Sequence, residues 1–91
     1  MNIDISSQRV LVSAASTGLG KATACAFQRA GAKVAICARG VEQLEVARQE
    51  IEALTGKPVL SFVTDLSRAD DINNMMDNVL GQWGAVDVLV N

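Results

Sequence analysis

Four short apolar runs alternate along the chain with three stretches whose apolar residues recur at helical spacing. Val10-Leu11-Val12 marks the first run, and the pattern predicts a strand from about Arg9 to Ala14 after a polar lead-in. Over about Gly18 to Ala30, the residues Leu19, Ala22, Thr23, Ala26, Phe27 and Ala30 fall on one helical face. That face is expected to lie inward, its alanines letting the helix sit close to a sheet. Gly31 suits the left-handed position that ends a helix. A second strand is expected at Lys33–Ala38, apolar without alternation. The next helix, about Val41 to Leu54, would bury Leu44, Ala47, Ile51 and Leu54. Its Glu42, Glu45, Arg48, Gln49 and Glu52 would face water. Thr55-Gly56-Lys57 reads as a turn, with Pro58 tolerated at the entrance of a third strand, Val59–Val63. Ser67 and Asp70 resemble a capping box at the start of a third helix. Ile72, Met75, Met76, Val79, Leu80 and Trp83 then form an apolar stripe, read as core packing. Gly84 ends that helix, and a fourth strand is expected at Val86–Val90.

The order β-α-β-α-β-α-β with uniformly apolar strands implies an α/β fold, a doubly wound parallel sheet with helices on both faces. Each crossover should be right-handed. Ligands of such sheets bind beyond the carboxyl ends of the strands, at the topological switch. Those ends here are Ser13–Gly20, Ala38-Arg39-Gly40, Thr64-Asp65-Leu66 and Asn91, all small, polar or charged but for Leu19 and Leu66. No repeat, low-complexity segment or linker interrupts the pattern, so residues 1–91 read as one domain.

The stretch Arg9–Gly20, R-V-L-V-S-A-A-S-T-G-L-G, runs from strand through small residues into a helix N-terminus. The unpaired N–H groups and dipole of such a terminus favour an anion, and missing side chains let a diphosphate approach the backbone. The G-x-G-x-x-G fingerprint is not met, because Thr23 stands where its last glycine belongs. The phosphate loop of NTPases fails too: Ala15 replaces its first glycine and Ala22 its magnesium-binding hydroxyl. The run Ser13-Ala14-Ala15-Ser16-Thr17-Gly18-Leu19-Gly20 instead resembles the T-G-x-x-x-G-x-G loop of the short-chain dehydrogenase/reductase family. It departs at Ser13 for the threonine and at Ala14 for the first glycine.

The resemblance extends over the whole chain and implies a Rossmann-like sheet of strand order 3-2-1-4. Asp65 in Thr64-Asp65-Leu66 matches the family's aspartate after the third strand, which supports the adenine ring through its side chain and neighbouring backbone. Val86-Asp87-Val88-Leu89-Val90-Asn91 resembles the family's D-x-L-V-N-N-A-G stretch as far as its first asparagine. About twenty residues beyond the glycines, an NAD site places an acid near the ribose 2′-hydroxyl. Ala38 holds that position here and Arg39 follows, a guanidinium suited to a 2′-phosphate. NADP is therefore the expected cofactor, ahead of NAD. The cofactor-binding set is Ser13, Ala15, Ser16, Thr17, Gly18, Leu19, Gly20, Arg39, Asp65, Leu66 and Asn91. The activity implied is interconversion of a small-molecule carbonyl and alcohol by hydride transfer. The family's Tyr-x-x-x-Lys pair is missing, as the chain has no tyrosine. The 91 residues are thus expected to be the amino-terminal part of a longer reductase, inactive alone. Their last strand would be left as an edge prone to self-association.

Composition narrows the alternatives. A formal charge of −2 argues against a nucleic-acid partner. No apolar run approaches the length that spans a membrane, and Met1-Asn2-Ile3-Asp4 lacks the positive start of a secretory signal. Cys25 and Cys37 read as small buried hydrophobes of a reducing, cytoplasmic compartment. The absence of histidine removes the common metal sites and triads. Two other readings compete: a non-catalytic nucleotide-binding or interaction module using the same loop, and a flavodoxin- or receiver-like α/β domain. A receiver needs acids at the end of the first strand, where Ser13 and Ala14 stand.

Overall fold

The computed structural model describes residues 7–13 and 18–91. Its elements follow in the order β1 (Arg9–Ser13), α1 (Gly18–Arg29), β2 (Lys33–Ala38), α2 (Val41–Thr55), β3 (Leu60–Val63), α3 (Ala69–Trp83) and β4 (Val88–Val90). The four strands make one parallel sheet in the order β3-β2-β1-β4. The register aligns Ser13 with Cys37, Cys37 with Phe62, and Val12 with Val90, so all four carboxyl ends emerge on the same edge. Ala14, the expected end of the first strand, lies outside the described residues.

The apolarity of β1 and β2 has a direct cause: both faces of these central strands are covered, whereas Val63 of β3 and Leu89 of β4 are exposed. Val10, Val12, Val34, Ile36 and Ala38 point to one side, where they meet Ala24 and Cys25 of α1 and Leu44, Ala47 and Ile51 of α2. Leu11, Ala35 and Cys37 point to the other and meet Met75 and Val79 of α3, with Met76 and Trp83 packed alongside. Helix placement therefore changes face between β3 and β4. This change puts the topological switch between β1 and β4, whose neighbouring strands lead into α1 and away from α3.

Helix ends follow the glycines. Gly31 adopts φ 100°, its N–H bonds Gln28 O at 3.0 Å and the N–H of Ala32 reaches Phe27 O at 3.1 Å, a Schellman arrangement. Gly56 and Gly84 end α2 and α3 in the same left-handed region, donating to Glu52 O and Leu80 O. Cys25 and Cys37 are buried and unpaired, and burial pushes the Cys37 thiol up.

Several sequence-based expectations about faces and ends need correction. The inward face of α1 is Ala24, Cys25 and Gln28, not the stripe through Leu19, Ala22, Ala26 and Ala30, whose residues are exposed. An alanine-rich helix has little hydrophobic contrast, and its buried face carries a polar residue. Gln28 is fully enclosed because its amide donates to Pro58 O at 2.9 Å and its carbonyl accepts from the Thr55 hydroxyl at 2.7 Å. Thr55, drawn in by that bond, takes the turn of α2 where Leu54 was expected, and Leu54 is exposed. Glu52 does not simply face water: its carboxylate accepts the Val59 N–H at 2.9 Å and steers the chain into β3. Leu80 is likewise exposed, while Met75 and Val79 alone of its stripe are buried. β3 and β4 begin later than expected, at Leu60 and Val88. Asp87 does not enter the ladder, because Arg9 captures it. The Arg9 N–H and Nε donate to Asp87 Oδ2 at 2.8 and 2.9 Å, and Asp87 N donates back to Arg9 O at 2.8 Å.

Candidate dinucleotide site

Two loops beyond the carboxyl ends of β2 and β3 enclose a cavity of about 550 Å³. Ala38, Arg39, Gly40 and Gln43 form one wall; Thr64, Asp65, Leu66 and Ser67 form the other. The first wall turns sharply from β2 into α2 at Gly40, whose extended backbone (φ −83°, ψ 121°) precedes the first helical residue. No side chain caps this helix. A Cβ on Gly40 would collide with Oε1 of Gln43 and lie 3.1 Å from its Cδ. Gln43 is the third residue of α2, where a glutamine can fold back over the helix entrance. Glycine at position 40 makes the room for it.

The second wall is held by a dense set of bonds. Thr64 N donates to Ala38 O at 2.9 Å, tying the two loops together. Asp65 Oδ1 accepts both the N–H and the hydroxyl of Ser67, at 3.0 and 2.6 Å. Arg68 N closes the turn on Asp65 O at 3.0 Å. These two bonds from Ser67, aided by the charges of Arg39 and Arg68, hold the Asp65 carboxyl below the usual carboxylate range. The capping box expected from Ser67 and Asp70 is absent, since Ser67 turns to Asp65 instead. Arg68 occupies the cap position of α3 with no side-chain bond. The carboxylate that folds back belongs to Asp71, whose Oδ2 accepts the Asp65 N–H at 3.1 Å.

At the topological switch, the Ser13 hydroxyl lies 3.1 Å from Val90 O and 3.2 Å from Asn91 Oδ1. Ser13 is buried, in keeping with its place at the end of a central strand. Gly18, Leu19 and Gly20 form the first turn of α1, with Leu19 exposed at 80 %. Among the described residues, the space around Gly18 is open: a Cβ there meets none of their atoms within 4 Å. Ala15, Ser16 and Thr17, expected in the diphosphate loop, lie outside the described residues. The structure thus gathers Arg39, Asp65 and Leu66 around one cavity, and Ser13 with Asn91 at the switch. Gln43, Ser67 and Asp71 were not expected. Both Gln43 and Asp71 are third residues of helices that leave a cavity-forming loop, and that position was the available signal.

A parallel sheet of this order, with a cavity across its second and third strand ends and a polar switch beside the first helix, defines a doubly wound α/β protein of Rossmann-like topology. The sequence model of the short chain dehydrogenase family matches residues 8–91. The chain belongs to the short-chain dehydrogenase/reductase family of oxidoreductases. An uncharacterized oxidoreductase of Mycobacterium bovis is 38% identical over 93 residues, a match covering 100% of this chain and 27% of the relative. L-sorbose reductase of Gluconobacter frateurii, complexed with NADPH and L-sorbose, superposes with a TM-score of 0.91 at 28% identity, over 100% of this chain and 35% of that one. A metagenomic short-chain oxidoreductase in complex with NADP gives a TM-score of 0.85 at 38% identity, covering 96% and 39% of the two chains. The chain therefore spans about a third of the length of these relatives.

Proposed function

We propose that this chain is the NADP(H)-binding part of a reductase or dehydrogenase that interconverts a carbonyl and an alcohol. The observation that carries the cofactor reading is Arg39 on the wall of the 550 Å³ cavity, with Ala38 in the place of an acid. A guanidinium there attracts a 2′-phosphate and can bond it bidentately, whereas an acid would repel it. Two solved relatives that carry NADPH or NADP add support.

The residues present suit such a cofactor. In this reading the adenine enters between the two loops, where the Leu66 N–H has no acceptor among the described residues. The Asp65 carboxylate, held ionised, accepts from an exocyclic amine. Gly18, Leu19 and Gly20 offer their helix start to the diphosphate, with Ala15, Ser16 and Thr17 preceding them. Ser13 and Asn91 keep the ends of β1 and β4 in register at the switch. When bound, the nicotinamide would supply or accept hydride at the substrate carbon. The unpaired thiols of Cys25 and Cys37 support a reducing, cytoplasmic setting. Leu89 on β4, 60 % exposed, supports association with further copies of the chain.

Titration with NADPH and NADH, read by nicotinamide fluorescence, tests the cofactor reading. NADPH should bind more tightly, and 2′,5′-ADP should compete better than 5′-AMP. Equal affinities would remove the 2′-phosphate from the proposal. Oxidation of NADPH on addition of carbonyl compounds, followed in the full-length protein, tests the reaction.

A further inference from the structure

We infer that Asp71 is a positioning residue for adenine recognition, acting through the backbone of Asp65. This rests on the dinucleotide reading above and adds a residue to it. Asp71 does not line the adenosine cavity. It lies behind the second wall, in a separate recess with Ser61, Thr64, Asn74 and Asn78. From there its Oδ2 accepts the Asp65 N–H at 3.1 Å.

The effect of that bond follows from the accounting of N–H groups in the loop. Thr64 N is taken by Ala38 O, Asp65 N by Asp71, Ser67 N by the Asp65 carboxylate, and Arg68 N by Asp65 O. Leu66 N alone of residues 64–68 has no acceptor among the described residues. Leu66 lines the cavity, and fixing the peptides on both sides holds its remaining N–H in one orientation. An N–H at that place pairs with the unprotonated ring nitrogen N1 of adenine, and the Asp65 carboxylate with the 6-amino group. Hypoxanthine reverses both: it has N–H at position 1 and a carbonyl at position 6. Without Asp71, the Asp65 N–H loses its acceptor and the loop can rotate its peptides. Base discrimination should then relax, whatever happens to the phosphate contacts.

The test compares binding of NADPH with its hypoxanthine analogue in the unmodified protein and in Asp71→Ala and Asp71→Asn. Loss of one positioned hydrogen bond should lower the adenine preference of Asp71→Ala about five- to tenfold. Asp71→Asn, which keeps an acceptor oxygen at the same reach, should restore it. Affinity for 2′-phosphate over 2′-hydroxyl should be unchanged in both, since Arg39 is untouched. A merely structural role would weaken both dinucleotides together and leave their ratio intact, and that result overturns the inference. Failure of Asp71→Asn to restore the ratio overturns it as well. Should Asp71→Ala not fold, Asp71→Ser carries the same comparison with a shorter side chain. If the unmodified protein binds neither dinucleotide, the site reading itself falls and takes this inference with it. Binding with no adenine preference overturns the inference alone.

Discussion

The Ser13 hydroxyl donates to the carbonyl oxygen of Val90 across 3.1 Å, joining the carboxyl ends of β1 and β4 where the helices change face. β4 is a short strand of three residues, held to the sheet by β1. The side-chain bond extends that attachment beyond the backbone ladder. Ser13→Ala should therefore cost about 0.5–1.5 kcal/mol of stability, the usual net worth of a hydrogen bond in a partly buried setting. Urea unfolding of the two proteins checks this, and an unchanged midpoint would mean that the backbone pairing of β1 and β4 suffices.

Arg39 is the residue on which cofactor choice should turn. Arg39→Asp should shift preference from NADP towards NAD by about 1.5–3 kcal/mol from the lost charge-assisted contact, with repulsion added. The cavity wall should otherwise survive, because Arg39 is exposed and makes no hydrogen bond among the described residues. Relative affinity for NADPH and NADH, read by fluorescence titration of the two proteins, measures the change. An unaltered ratio would leave Arg39 a solvated loop residue.

Gly18 opens α1 with empty space around its Cα. Gly18→Val should leave the protein folded, since a Cβ at this position meets no atom of the described residues within 4 Å. It should nonetheless occupy room that a diphosphate needs, weakening NADPH at least tenfold, or about 1.4 kcal/mol. Calorimetric titration beside a thermal melt separates the two effects. Undiminished binding would make Gly18 a glycine of the turn only.

Arg9 and Asp87 set a pH dependence at the opposite end of the sheet. Hydrogen bonds from the Arg9 side chain and N–H, with its charge, hold the Asp87 carboxyl below the usual carboxylate range. A depressed folded value means that the unfolded chain takes up the proton first as pH falls. The stabilisation is therefore complete above the ordinary carboxylate range and is lost as pH drops through the folded value. Asp87→Asn should melt below the parent at neutral pH, by a modest margin because the pair is partly exposed. The gap should close in acid. A gap independent of pH would assign the effect to packing.

Much of this arrangement was legible in the chain itself. Unbroken apolar strands such as Val10-Leu11-Val12 and Val34-Ala35-Ile36-Cys37 require cover on both faces, and three helical stretches between four strands supply it. Gly31, Gly56 and Gly84 announce the helix ends because only glycine enters the left-handed region without strain. Arg39, Asp65 and Leu66 could be placed near one another because parallel strands bring their carboxyl ends to one edge.

Tertiary structure decided what spacing alone cannot carry. Spacing does not mark the buried face of α1, because alanine differs little from its neighbours in hydrophobicity, whereas the choice of face is made by Gln28 bonding to Pro58 and Thr55 in distant segments. Leu54 was displaced from the core by that same bond. The cap of α3 went to no side chain because Arg68 holds the cap position, while Ser67, one residue earlier, donates its hydroxyl to Asp65. Asp71 gained its role from a loop six residues upstream whose course depends on Ala38 in another strand. Periodicity records how apolar area is distributed, and this the sequence determines. Which polar group satisfies which other depends on distances between segments, and those exist only once the sheet has formed.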